Sequence, residues 1–262
     1  MEEVLKLPEN ISNRINDYFE LKIGKTHVKS PYYMNLKKSK DLRALVGKGT
    51  PEEIEMEAMI VAKTKKMNLD EMTENEIREF LMSRGIGIDC SGFIMHILNF
   101  WYKSEKGGNI WRKFKPYGKG ILYKIAYILK PVEKLGAEII TNKTNSKKVS
   151  LKDVLPGDLV RSKWKRKNSH HVLLVTKVIR EEGITKEIEY GCSAEHYGKD
   201  NGMRFGEIII KDQKKPLQDQ EWVDPDENGI NQIYEGYLNK VEDNGLRRTK
   251  AMEEIQKKLF RK

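Results

Sequence analysis

The sequence has few cysteines and no long apolar run, and both absences narrow what the protein can be. Its two cysteines, Cys90 and Cys192, are too few for a disulfide-rich scaffold or a four-cysteine zinc site. No apolar run approaches the roughly 18–20 residues that a membrane span needs. The opening stretch MEEVLKLPEN lacks the basic and apolar regions of a secretory signal. We therefore expect neither a membrane span nor a signal peptide, and the localisation stays open.

What the sequence has in quantity is charge, with a positive surplus. Over 262 residues, 49 Lys and Arg against 39 Asp and Glu give a net charge of +10, which suits an anionic partner. Hydrophobic residues make up 38 %, and 4 Trp, 11 Tyr and 7 Phe can anchor one sizeable core. Two basic runs, 103–119 and 161–167, could follow a nucleic-acid backbone, but such runs are more often solvated loops. We expect no nucleic-acid partner.

The first half of the chain has helical periodicity and helix-start signals. The motifs TPEE at Thr50 and TENE at Thr73 are capping boxes, and they predict helices to about Lys66 and Ser83. The stretch VGKGT before the first of them lacks the spacing of a phosphate loop, so we expect it only to lead into that helix. A buried helix is predicted from Asp89 or Cys90 through SGFIMHILNFWY, and another over 120–130.

From Leu151 the periodicity changes to that of strands. The short runs DLVRS, HVLLVTKVI, KEIEYGCS and GEIIIK are separated by turn residues, which is typical of antiparallel strands. Helices followed by a strand meander predict an α+β fold. We expect a main domain over 1–215, with insertions at 102–150, and a polar appendage over 216–262 that ends in an amphipathic helix near 246–260.

The stretch IGIDCSGF is the most informative in the sequence. Asp89 is a good N-cap, so Cys90 falls in the first turn of a helix. There the free backbone N–H groups and the helix dipole favour a thiolate, and the N–H of Cys90 can help to form an oxyanion site. A lone cysteine is more often structural. The capped helix start, together with the histidine described next, favours a nucleophile.

That histidine lies 81 residues further along, where His170 and His171 open a predicted strand. Strand alternation puts His171, Leu173 and Val175 on one face and His170 on the other. A histidine at a strand start that faces a helix N-terminus can accept a thiol proton and return it to a leaving amine. An isolated His-His pair would be an ordinary strand end. Its pairing with the cysteine motif favours catalysis.

The order of these motifs resembles the NlpC/P60 superfamily of papain-like cysteine peptidases. The resemblance rests on DCSGF at a helix start, PGDLV before a strand and HV opening a strand, and it spans roughly 30–212. It implies that Cys90 is the nucleophile and His171 the general base. In SPYY, Tyr32 matches a tyrosine that borders the family's active site. The family's Trp-Gly-Gly after that tyrosine is missing, and a helical segment stands there instead.

The third catalytic residue, which orients the imidazole, departs from the family pattern. Relatives usually place a histidine before a small residue on the next strand, and the matching position here is Cys192, before Ser193. A thiol accepts hydrogen bonds weakly. His196, Glu189 or a backbone carbonyl could fill the role instead, and a triad can lose this member and keep part of its rate.

A calcium-loop pattern occurs near the end of the chain. Asp224, Asp226, Asn228 and Glu235 fit the spacing of a twelve-residue loop with oxygen ligands and a glycine at the turn. The position that is usually apolar is Asn231, and a turn rich in Asp, Asn and Gly explains the same residues without metal. We expect no cofactor for catalysis and keep calcium as an option.

These observations predict a papain-like α+β domain in which a helix with Cys90 packs on an antiparallel sheet with His171. The expected activity is that of a thiol protease or amidase. Its substrate would be an anionic peptide, with the stem peptides of peptidoglycan in the cell wall as the class that the family implies. One alternative is an acyltransferase with the same site. Another is a basic binding module that keeps the fold and has weak catalysis. The sequence does not predict the oligomeric state.

Overall fold

The helices of the first half begin at the capping residues that predict them. The protein is described by a computed structural model that covers residues 1–34, 42–116, 120–163, 170–195, 197–224, 228–239 and 243–260. At Thr50 and Thr73 the side chain accepts from the N–H of a glutamate three residues on, and the glutamate accepts from the threonine N–H. Asp89 caps the next helix by accepting from the N–H of Gly92 at 2.6 Å. The three predicted helix starts are confirmed.

The described helices and strands follow one another along the chain, with three short strands among the early helices. The elements of the first half are β1 (Glu2–Lys6), α1 (Glu9–Asn16), β2 (Leu21–Ile23), β3 (Thr26–Val28), α2 (Pro51–Thr64), α3 (Glu74–Arg84), α4 (Cys90–Lys106), α5 (Ile121–Leu129), α6 (Pro131–Lys134) and α7 (Ala137–Thr141). Those of the second half are β4 (Ser146–Lys148), β5 (Leu159–Lys163), β6 (His170–Glu181), β7 (Ile184–Ala194), β8 (Gly202–Ile209), β9 (Glu221–Val223), α8 (Gln232–Leu238), β10 (Gly245–Thr249) and α9 (Glu253–Phe260). Among the described residues, no helix has the length and apolar character to cross a membrane.

The main sheet is antiparallel and contains the predicted meander. Its strand order is β4-β10-β5-β6-β7-β8-β9, and β1 pairs with the far half of β6. The four strands predicted after Leu151 are β5 to β8, each paired with its neighbour in sequence. The predicted α+β class is confirmed, but the predicted order of helices first is not, because β1 opens the chain and pairs with β6 of this sheet.

Two hydrophobic clusters cover the two faces of this sheet. The first, here called the helix-side cluster, joins Cys90 and Phe93 of α4 to Val172 and Leu174 of β6. The second, the far-side cluster, contains residues that alternate with these along the strands. Its members include Leu173, Val175, Cys192 and Trp222. Helix α4 packs on β6 and β7. Its first residue, Cys90, contacts His170, so this helix start lies at the end of the sheet where β6 begins.

The segment after residue 215 is part of the body rather than an appendage on it. Strand β10 lies between β4 and β5, and its Arg248 forms an ion pair with Asp158 at 2.6 Å in which both side chains are buried. Strand β9 extends the other edge of the sheet beside β8. The helix predicted near 246–260 is therefore a strand over its first residues, and α9 begins only at Glu253.

Candidate functional site

Cys90 is the first residue of α4, and close backbone contacts fix this helix start. A Cβ on Gly87 would lie 2.4 Å from the carbonyl oxygen of Pro31, and one on Gly92 would lie 2.6 Å from that of Gly47. Neither position can hold a larger residue without displacement of backbone, which explains the glycines on both sides of Asp89-Cys90. The close approach brings the segments near Pro31 and Gly47 against the N-terminus of the helix.

A buried lysine completes the helix cap. The ammonium of Lys48 lies 2.8 Å from a carboxylate oxygen of Asp89, and it also donates to the hydroxyl of Ser91. Lys48 and Asp89 are 3 % and 2 % exposed, so this is an ion pair away from solvent. The ring Nε2 of His96 lies 2.7 Å from the carbonyl oxygen of Lys48 and holds its backbone. Sequence reasoning missed Lys48 as a site residue, and the only signal was a lysine between two glycines.

The sulfur of Cys90 lies against the backbone of β6. Its Sγ is 4.0 Å from the carbonyl oxygen of His170, and the backbone N–H groups of Val172 and Ser91 bond to it. Burial, followed by the charge of Asp89, raises the pKa of the Cys90 thiol to about 12, while Lys48 and the two N–H groups act in the opposite direction. The environment of this sulfur therefore favours the thiol over the thiolate.

The side chains of the two strand-end histidines, His170 and His171, take opposite faces of the sheet at this contact. The carbonyl and the N–H that approach the sulfur belong to residues 170 and 172, so the sulfur faces the strand at His171. Alternation along β6 assigns the His171 side chain to the face of the far-side cluster, and that of His170 to the face of Cys90. Both histidines are half-buried, and burial lowers the pKa of His170.

Tyr32 lies beside the helix start although 58 positions separate it from Cys90. Its backbone forms a parallel bridge with Ile88, and Lys48 forms an antiparallel bridge with the same residue. Burial raises the pKa of the Tyr32 hydroxyl, and Cys90 and Asp89 add to this rise. The structure therefore brings Tyr32, Cys90 and the strand at His171 to one place.

The three side chains that could fill the third catalytic position differ in where they lie relative to Cys90 and His171. Cys192 is fully buried on β7 in the far-side cluster; burial raises its pKa well above that of a free thiol, and Cys90 is among the groups that add to the rise. Glu189 accepts a hydrogen bond from the Thr176 hydroxyl at 2.6 Å. Because Thr176 is five residues along β6 from His171, roughly 16 Å at strand spacing, Glu189 is out of reach of that imidazole. His196 lies outside the described residues.

Known proteins give no further guide to this site. Comparison of the chain with protein-family models, with curated proteins and with solved structures finds no match. The functional conclusion therefore depends on the geometry around Cys90.

The calcium-loop residues are not assembled as a ligand set in the part of the chain that the structure describes. The Asp224 carboxylate is buried and accepts hydrogen bonds from Arg204 at 2.9 Å, as well as from the hydroxyls of Tyr190 and Tyr197. Asp226 lies outside the described residues. Asn228 is in a turn, and Glu235 is exposed on α8. A cation at Asp224 would have to compete with the guanidinium of Arg204.

Proposed function

We propose that this protein is a cysteine hydrolase that cleaves an amide bond, with Cys90 as the nucleophile and His171 as the general base. The observation that carries the proposal is the position of the Cys90 sulfur. It lies at a capped helix start, against the two backbone groups that flank His171. Nucleophilic cysteines use a helix N-terminus and an imidazole within reach. Because strand alternation assigns the His171 side chain to the far-side face, the proposal requires that this ring turn at the strand end toward the sulfur.

In this reaction the imidazole of His171 takes the thiol proton as the sulfur attacks the amide carbonyl. The carbon–sulfur bond forms, and the proton then passes to the leaving amine as the carbon–nitrogen bond breaks. Water releases the acyl group and restores the thiol. Because burial raises the pKa of the thiol to about 12, the base must remove the proton during the attack, rather than find a thiolate already formed. The N–H groups near the sulfur, from Ser91 and Val172, stabilise negative charge there.

The fold that we propose for this site is the papain-like fold of the NlpC/P60 superfamily. Its support is the order of motifs, with DCSGF at the start of α4, PGDLV leading into β5 and HV at the start of β6. The substrate class that goes with this fold is the stem peptides of peptidoglycan. Their carboxylates match the net charge of +10.

A second function is favoured by one observation, the burial of the sulfur. Cys90 is 6 % exposed. A structural cysteine also has a buried, neutral thiol. The alternative is a basic binding module on the same fold that binds the peptide and cleaves it poorly.

Incubation with purified peptidoglycan fragments, followed by mass spectrometry of the products, tests the proposal. We expect an amide cleavage that Cys90→Ala abolishes, that His171→Ala lowers by at least about a hundredfold, and that Cys192→Ala only reduces. His170→Ala is the comparison that decides between the two histidines, because strand alternation puts the His170 side chain on the Cys90 face. Loss in His170→Ala with retention in His171→Ala would overturn the assignment of the base. Tight binding without turnover would support the binding module, and transfer of the acyl group to an added amine would indicate the acyltransferase.

A further inference from the structure

Helix α5 presents a continuous apolar stripe to solvent. Five of its nine residues are large aliphatic side chains that are between 49 % and 79 % exposed, namely Ile121, Leu122, Ile125, Ile128 and Leu129. Their spacing of one, four, seven and eight positions from the first puts them on one side of the helix. Scattered exposed aliphatic residues are ordinary, but a contiguous stripe marks an interaction site.

The other side of α5 is fixed to the body, so the stripe faces outward as part of the fold. The hydroxyl of Tyr127 donates to the carbonyl oxygens of Trp111 and Phe114, the latter at 3.1 Å. The hydroxyl of Tyr123 donates to the carbonyl oxygen of Lys134. These bonds hold the helix at both ends of its buried face. The stripe is therefore left uncovered by the residues that the structure describes.

The segment that carries the stripe is rich in positive charge, and the acidic Glu138 lies near enough to Tyr123 of α5 to raise its pKa. Residues 103–130 contain eight Lys and Arg and a single acidic residue, Glu105. Next to the segment on which Tyr127 is fixed lies a surface cavity of about 300 Å³ whose lining includes Lys113, Lys115 and Lys250. Lys124 is exposed on α5 itself. An exposed apolar stripe in a basic segment is the pattern of a helix that lies in the interface of an anionic bilayer.

We propose that α5 docks this protein on an anionic lipid surface. The stripe enters the boundary between headgroups and acyl chains, and the surrounding lysines bind lipid phosphates. With nine residues the helix lies in the interface and does not cross the bilayer. The charge favours a lipid surface over a second copy of this chain, because a dimer through the stripe would bring two sets of lysines together. The proposal does not depend on the activity of Cys90.

Co-sedimentation of the full-length protein with vesicles tests this surface. The probes are vesicles of phosphatidylcholine alone and vesicles that contain phosphatidylglycerol. We expect binding to the anionic vesicles only, weakened by salt, and reduced at least about tenfold in the double variant Leu122→Ser/Leu129→Ser. The matched control is Met56→Ser/Met59→Ser, which changes two exposed apolar residues of α2 and should bind like the wild type.

Three results would overturn the proposal. One is no binding to either vesicle, and another is equal binding to both. The third is a dimer in light scattering that the α5 variant abolishes, which would identify the stripe as an interface between copies. Circular dichroism of the variants shows whether they are folded. Because both serine substitutions replace exposed side chains, we expect unchanged spectra, and a variant that stays folded and loses only the anionic vesicles supports the proposal. The variant Cys90→Ala should bind vesicles normally, which separates this test from that of the hydrolase.

Discussion

Replacement of Lys48 with methionine should lower the free energy of unfolding by about 3–5 kcal/mol, because it leaves the Asp89 carboxylate buried without its cation. The two charged groups are 2.8 Å apart and almost unexposed, so solvent does not replace the lost partner. Among the described residues, the carboxylate would keep two neutral donors, the Ser91 hydroxyl and the N–H of Gly92. Urea unfolding followed by circular dichroism measures the change.

The same variant should change the reactivity of Cys90 in a direction that the structure fixes. Lys48 lowers the pKa of the thiol and Asp89 raises it. We therefore expect Lys48→Met to slow alkylation by iodoacetamide at a given pH, and Asp89→Asn to accelerate it. The rates are compared in a Cys192→Ala background, so that only one thiol is counted.

Two further variants complete this experiment. The double variant Lys48→Met/Asp89→Asn should recover most of the lost stability, because asparagine still caps a helix and no lone charge stays buried. The matched control is Lys177→Met, which breaks more exposed ion pairs with Glu187 and Glu189 and should cost below about 1 kcal/mol. A loss below about 1 kcal/mol in Lys48→Met, with unchanged alkylation, would refute the role that we assign to the buried pair.

Three other predictions concern the rest of the molecule. Burial lowers the pKa of His96 to about 4. Between about pH 6.5 and 4 the unfolded chain therefore binds a proton that the folded protein does not, and about 3 kcal/mol of stability should be lost as the pH falls through this range. An equal loss in His96→Gln, seen by urea unfolding, would contradict this. Arg248→Met should cost about 3–5 kcal/mol because it leaves the buried carboxylate of Asp158 unpaired, and a loss under 1 kcal/mol by the same assay would show that β10 contributes little. Because Arg204 already neutralises Asp224, we expect no heat from millimolar calcium in calorimetry, and a heat that Asp224→Asn removes would identify a calcium ligand.

The parts of the fold that the sequence predicted are those with local causes. A helix start needs only a threonine or aspartate and the three residues that follow, and for this reason α2, α3 and α4 begin where Thr50, Thr73 and Asp89 stand. The strands β5 to β8 have period-two apolar residues and turns between them. The proximity of Cys90 to the start of β6 followed from a resemblance in motif order, not from periodicity.

The parts that the sequence did not predict depend on distant partners. Strand β10 has the sequence GLRRT, in which two arginines hide the strand character, and its burial depends on the carboxylate of Asp158. Lys48 belongs to the site only because Asp89, 41 positions later, meets it in a buried pair. Strand alternation puts the His170 side chain, and not that of His171, on the Cys90 face, and only the resemblance in motif order named His171 as the base.

The place of β10 in the sheet sets an order of events for a growing chain. Strand β5 is synthesised more than eighty residues before the strand that covers its outer edge. During that time its backbone N–H and C=O groups form an open edge, which is the kind of surface that pairs with strands of other molecules. The arrival of Gly245–Thr249 closes this edge. We therefore expect a nascent chain that stops short of these residues to aggregate, whatever the state of its helices.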